Sequence, residues 1–107
     1  MREQATAAVP KEKRETRTNN KPRHAPRYRV LLHNDDITPM DFVVEILLKY
    51  FRKTQEEAFQ LMWEAHTRKV SLVAVMPLEQ AEFRVDQVHA FARPRKFPLT
   101  MTFEPEE

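Results

Sequence analysis

His33-Asn34-Asp35-Asp36-Ile37-Thr38-Pro39-Met40 is where an apolar strand gives way to a helix, and its reading decides the fold. Tyr28 to Leu32 is a strand candidate. Asn34 and the two aspartates stop it, because these side chains hydrogen-bond nearby backbone and favour turns. Thr38-Pro39 then makes a helix start: Thr38 is suited to capping, and Pro39 to the first helical position, where no amide hydrogen is needed. The stretch also sets polar side chains beside the apolar Ile37 and Met40, so it reads as a small binding site. A turn before a capped helix is the simpler use of Asn34-Asp35-Asp36 taken alone.

Working outward, helix one is expected from about Pro39 to Arg52, with Asp41 in the first turn favouring the positive end of the helix dipole. Thr54-Gln55-Glu56-Glu57 matches a capping box and opens helix two, which runs to about Thr67. Its Ala58, Leu61, Met62 and Ala65 follow helical spacing, with Phe59 and Trp63 widening the apolar face. Val70 to Met76, rich in β-branched residues, is the clearest strand. Pro77 opens a third helix from Leu78 to about Arg93, striped by Ala81, Val85, Val88 and Ala92 beside Phe91. A last strand, Leu99 to Phe103, lies between Pro98 and Pro105. Three strands and three helices imply one sheet covered on one side, an α+β domain.

The chain has 107 residues, 41% apolar and 32% charged, which suits one small soluble domain with a modest core. It has no cysteine, which excludes disulfides and thiolate metal sites. The longest apolar stretch is too short to span a bilayer and no signal-peptide core is present, so the expectation is a cytoplasmic protein with no membrane partner. Charge divides the chain: residues 1–27 hold eight Lys/Arg against three Glu, or +5, and the remainder is −3, which together give the formal +2. The basic segment has few apolar residues, three prolines and no periodicity, so residues 1–26 are expected to be a disordered extension and residues 27–107 the core domain. It lacks aromatic residues for base stacking, which argues against nucleic acid.

Together with Phe42-Val43-Val44, Glu57-Ala58, Leu61-Met62, Ala65-His66, Ala81-Glu82, Ala92-Arg93 and Pro98-Leu99, the opening stretch resembles the ClpS family, over roughly Tyr28 to Glu104 without a gap. ClpS proteins are adaptors that deliver proteins with destabilising N-terminal residues to the ClpA-ClpP protease. The resemblance implies a βααβαβ order with a three-stranded antiparallel sheet covered on one face by three helices, similar to the C-terminal domain of the ribosomal stalk protein. It also implies a monomeric, non-enzymatic adaptor with no cofactor, whose partners are N-degron peptides and the N-terminal domain of ClpA or ClpC. The extension would act as a flexible arm in handing over cargo.

The resemblance assigns Asn34, Asp35 and His66, with Asp36 nearby, to an N-terminal ammonium. An ammonium has three donors and is well held by a carbonyl oxygen, a carboxylate and an acceptor nitrogen. Leu32, Ile37, Thr38, Met40, Val43, Met62 and Leu99 become an apolar pocket, where the flexible methionines can accept both Leu and flat aromatic rings. Met62, Val43 and Leu99 would serve equally as ordinary core, and His66 as a dipole-stabilised helix end. Glu79 and Arg84 stand where the family docks on the unfoldase, on a segment that also reads as a solvated helix start.

An enzyme is the competing class: His66 with Asp35 and Asp36 could be written as a base with orienting carboxylates, or as part of a small metal-dependent hydrolase. A generic interaction domain with a basic tail is the other alternative. No His-x-x-x-His pair is present, so no metal site is assigned. The chain contains no glycine, which removes phosphate-cradling and dinucleotide turns, and its only serine, Ser71, lies in a strand. ClpS proteins usually place a glycine after the helix-two histidine, where this chain has Arg68-Lys69, and a small residue, often glycine, at Ala74. Either Lys69 adopts a left-handed conformation at about 1 kcal/mol relative to glycine, or the turn is rebuilt.

Overall fold

The computed structural model describes residues 26–106; the expected disordered extension over residues 1–26 falls, except for Pro26, outside the described residues. The elements are β1 (Arg27–His33), α1 (Met40–Phe51), α2 (Gln55–Arg68), β2 (Val70–Pro77), α3 (Leu78–Ala92), a 3-10 turn (Arg93–Arg95) and β3 (Thr100–Pro105). This is the expected βααβαβ order, with each boundary within two residues of the sequence reading.

One antiparallel sheet in the order β2-β1-β3 puts β1 at the centre. Successive strand side chains point to opposite faces, so β1 turns Val30 and Leu32 fully inward while Arg29 and His33 face the other way. On that open face Arg29 pairs with Glu104, and the His33 ring meets the Thr102 hydroxyl at 2.7 Å. Pairing with β2 shifts between Val30, opposite Ala74, and Leu31, opposite Leu72, which leaves Val73 as the extra residue of a β-bulge.

All three helices cover the Val30/Leu32 face. Phe42, Ile46 and Leu47 of α1, Ala58 and Ala65 of α2, and Ala81, Val85, Val88 and Ala92 of α3 meet there with Leu99 and Met101. Complete burial of one such Val, Leu or Ile side chain contributes about 1.5–3 kcal/mol. Phe59 and Trp63 do not widen the buried face of α2 as expected: they are 56% and 49% exposed, and Ala58, Met62 and Ala65 make the buried contact instead.

The chain solves its turns without glycine. Arg52, Lys69 and Lys96 end α1, α2 and the 3-10 turn at φ of 55°, 81° and 65°. Lys69 thus takes the first of the two expected solutions, with its amide donating to the Ala65 carbonyl at 2.8 Å. A side chain at positive φ is costly because Cβ approaches the backbone, and a basic residue there recovers a little by facing the negative end of the helix dipole. Lys69→Gly is therefore expected to raise unfolding free energy by about 1 kcal/mol in urea denaturation; unchanged or lower stability would show that Lys69 carries no strain.

His89 ties α3 to β3: its Nε2 accepts the Met101 amide at 3.0 Å. Burial holds its imidazole below the ordinary value of 6.5, and Arg93 adds to this while Asp86 opposes it. A histidine depressed in the folded state contributes stability that is complete above its ordinary value and is lost as pH falls below it. The urea midpoint should therefore fall between pH 7.5 and pH 5.5, and the fall should be shallower in His89→Gln, whose side-chain oxygen still accepts the amide. An identical pH slope in the two proteins would remove His89 from this role.

Candidate binding pocket at the end of the central strand

Where β1 ends, a cavity of about 290 Å³ opens between the Asn34–Pro39 turn, the start of α1 and the second half of α2. Its lining includes Asn34, Asp35, Asp36 and His66, and also Leu32, Ile37, Thr38, Met40, Val43 and Met62. Leu99 is not among its lining residues; it stands just before β3 and packs into the core cluster.

The turn is organised by Asp35. One carboxylate oxygen accepts the Ile37 amide at 2.8 Å and the Thr38 amide at 2.7 Å, and the other accepts the Thr38 hydroxyl at 2.8 Å. Partial burial pushes the Asp35 carboxyl upward, but the Thr38 and Ile37 amides, the Thr38 hydroxyl and the charge of Arg93 together hold it below its ordinary range. Asp35 is therefore ionised at neutral pH. The expected Thr38 cap does not form: Met40 is the first helical residue, Pro39 precedes it in extended conformation, and no side chain caps α1. The physical reason is position: Thr38 lies one residue before the cap position that Pro39 occupies, and its hydroxyl instead donates to the charged carboxylate three residues back.

A second tie fixes Asn34, whose amide donates to the Lys69 carbonyl at 2.9 Å. The strained left-handed residue that closes α2 thus also anchors the end of β1, the one juxtaposition here that lies beyond local sequence. On α2, Met62 and His66 stand four residues apart on one face. The His66 ring packs on Trp63, with centroids 5.4 Å apart, a contact the i, i+3 spacing allows. Met62 is 5% exposed, whereas Met40 and Ile37 are 41% and 68% exposed and form an apolar rim.

Among the described residues, the Asn34 amide group, the Asp36 carboxylate and the His66 ring make no hydrogen bond to another protein group, so their polar atoms are available at the mouth. Asp36 is exposed while Asp35 is committed to the turn, so the two adjacent carboxylates differ in kind. The arrangement can hold a group with several donors at the mouth and an apolar side chain below it. Among the described residues no three His, Asp or Glu side chains gather as a metal-binding group, and no helix is long and apolar enough to cross a membrane.

Glu79 and Arg84 lie on α3, away from the pocket. Arg84 donates to Gln87 at 2.8 Å and its guanidinium lies 5.4 Å from the Phe83 ring centroid. Glu79 and Arg84 are five positions apart, about 140° around the helix, with Phe83, 57% exposed, among the residues between them.

Known proteins resemble this chain in sequence and fold. The family model for the ATP-dependent Clp protease adaptor protein ClpS matches residues 23–102. The chain is 47% identical over 78 residues to the ClpS adapter protein of Oleidesulfovibrio alaskensis, covering 73% of this chain and 75% of that protein. It is 45% identical over 92 residues to that of Roseobacter denitrificans, covering 86% and 81%. The solved structure of Agrobacterium tumefaciens ClpS2 bound to L-phenylalaninamide superposes with a TM-score of 0.75 at 32% identity, covering 78% of this chain and 100% of that one. With fold, family model and sequence relatives in agreement, the chain belongs to the ClpS family of Clp protease adaptors.

Proposed function

We propose that this adaptor is not an enzyme and that it binds proteins by a free N-terminal Leu, Phe, Tyr or Trp and presents them to the ClpA-ClpP protease, or to a ClpC unfoldase. The supporting observation is a set of polar atoms on Asn34, Asp36 and His66, without a partner among the described residues, above an apolar pocket floored by Leu32, Val43 and Met62. An ammonium can donate to the Asn34 carbonyl oxygen, to a neutral His66 nitrogen and to a carboxylate. Asp36 has its full acceptor capacity for this. Asp35, with both oxygens engaged, contributes negative charge and holds the turn in place. L-phenylalaninamide, the ligand held by Agrobacterium tumefaciens ClpS2, carries a free amine and an aromatic side chain, the two features this pocket is read to recognise. Glu79 and Arg84, with the exposed Phe83 between them, are the proposed contact with the N-terminal domain of the unfoldase.

Titration of a peptide with an N-terminal Phe or Leu should give micromolar or tighter binding, and acetylating its amine should weaken it at least a hundredfold. The loss corresponds to two charge-assisted hydrogen bonds at about 1.5–3 kcal/mol each. Asp36→Ala should lower affinity and leave the urea midpoint unchanged, whereas Asp35→Ala should lower both. Equal affinity for the acetylated peptide would overturn the ammonium site and leave a plain hydrophobic slot.

Met40, half-exposed at the rim and one turn before Val43 and Val44, is placed to crowd the Cβ of an incoming first residue. Leu, Phe, Tyr and Trp branch beyond Cβ and pass, while Ile and Val carry a second carbon there. Met40→Ala is expected to admit N-terminal Ile and Val while leaving Phe within about tenfold, because it removes a clash and little ring contact. A panel of Phe, Leu, Ile and Val peptides against both proteins checks this; wild-type protein that binds Ile as well as Leu would show that Met40 is not the gate.

A further inference from the structure

A second, larger cavity of about 580 Å³ lies in the groove between α1 and α2. Its floor is apolar, made by Val44 and Leu48 of α1 and by Phe59 and Met62 of α2, and Asp41 and Glu45 stand at its α1 edge. Met40 and Met62 line both this groove and the first pocket. The two spaces thus have two lining residues in common. Phe59 is 56% exposed, a large apolar surface that the fold itself leaves uncovered.

We infer that the α1–α2 groove is a second subsite that takes the side chain of the third residue of a bound N-terminal segment, and that it selects a large apolar one. The inference rests on the proposed N-terminal recognition. Once the first side chain is in the pocket, an extended peptide sends its second side chain away from the protein and its third back toward it, some 6–7 Å along the chain. Because Met40 and Met62 border both spaces, a segment that leaves the first pocket over them brings its third residue to the groove. The floor offers aromatic, thioether and branched aliphatic contacts, which suit Leu, Met or Phe. Asp41 and Glu45, four residues apart on α1, are like charges on one helix face and would repel an acidic side chain entering between α1 and α2.

The experiment uses the full chain and peptides with a free N-terminal Leu that differ at the third position only: Phe, Leu, Ala or Asp. Affinity should rise three- to tenfold from Ala to Leu or Phe and fall for Asp, as partial burial of one apolar side chain requires. Phe59→Ala, a change at an exposed position, should reduce the Ala-to-Phe gain to below about twofold, and Phe59→Leu should keep most of it. Neither variant should alter the effect of acetylating the peptide amine. If free-amine peptides bind and acetylated ones do not, yet the third position makes no difference, the groove is not a subsite and the first pocket stands. If the second position carries the preference instead, the register is overturned. Should no free-amine peptide bind at all, the failure lies in the first pocket. If Phe59→Ala weakens binding of an isolated unfoldase N-terminal domain while peptide binding is unchanged, the groove belongs to that partner and the subsite is overturned.

Discussion

The carboxylate of Asp35 is the constraint on which the rest of this site depends. By accepting two consecutive amides and one hydroxyl, it turns the chain between the central strand and the first helix without help from a glycine or a helix cap. Each charge-assisted bond of this type contributes about 1.5–3 kcal/mol when shielded, and less here because the turn is partly solvated. The turn sets where Met40 and Val43 emerge on one side and where Asn34 and Asp36 emerge on the other. For these four residues, the relative geometry of polar and apolar groups is fixed by the bend itself.

The other half of the pocket arrives from α2, and one hydrogen bond joins the two. The Lys69 carbonyl receives the Asn34 backbone amide, so the end of β1 is tied to the residue that closes α2. Met62 and His66 are carried on a helix that is fixed at its start by a capping box and at its end by this tie. Met62 is buried and also lines the cavity, beside the core cluster that holds Ile46 and Leu47. A methionine on the boundary between core and cavity can yield to ligands of different shape without disturbing Ile46 or Leu47.

Local chemistry made most of the fold legible. The Thr54–Glu57 capping box, the β-branched run from Val70 and the alanine-valine stripe of α3 are each short-range signals, and each element formed as read. The misreadings came where a boundary shifted by one residue or where burial was decided by tertiary contact. Thr38 and Pro39 read as the cap and the first helical residue, but the helix starts one residue later, which puts Pro39 at the cap and leaves Thr38 to the Asp35 turn. Phe59 and Trp63 lie at helical spacing from the apolar stripe, yet the sheet lies against the alanine side of α2, where backbones can approach closely. The residues named from the family resemblance lie around one cavity, except Leu99, which packs into the core instead. What no local pattern showed was the division of labour between Asp35 and Asp36, which depends on which carboxylate faces the following amides.

The absence of glycine has a consequence in the denatured chain. Glycine is the residue with the most backbone freedom to lose, and this sequence has none while holding eight prolines, whose φ is already fixed. Its unfolded ensemble is therefore narrower than that of an average chain of equal length, and each residue gives up less entropy on folding. Three basic residues held at positive φ raise the energy of the native state, and the stiffer denatured state compensates for it from the opposite side of the equilibrium. Stability in this domain is set partly by what the disordered chain is prevented from doing.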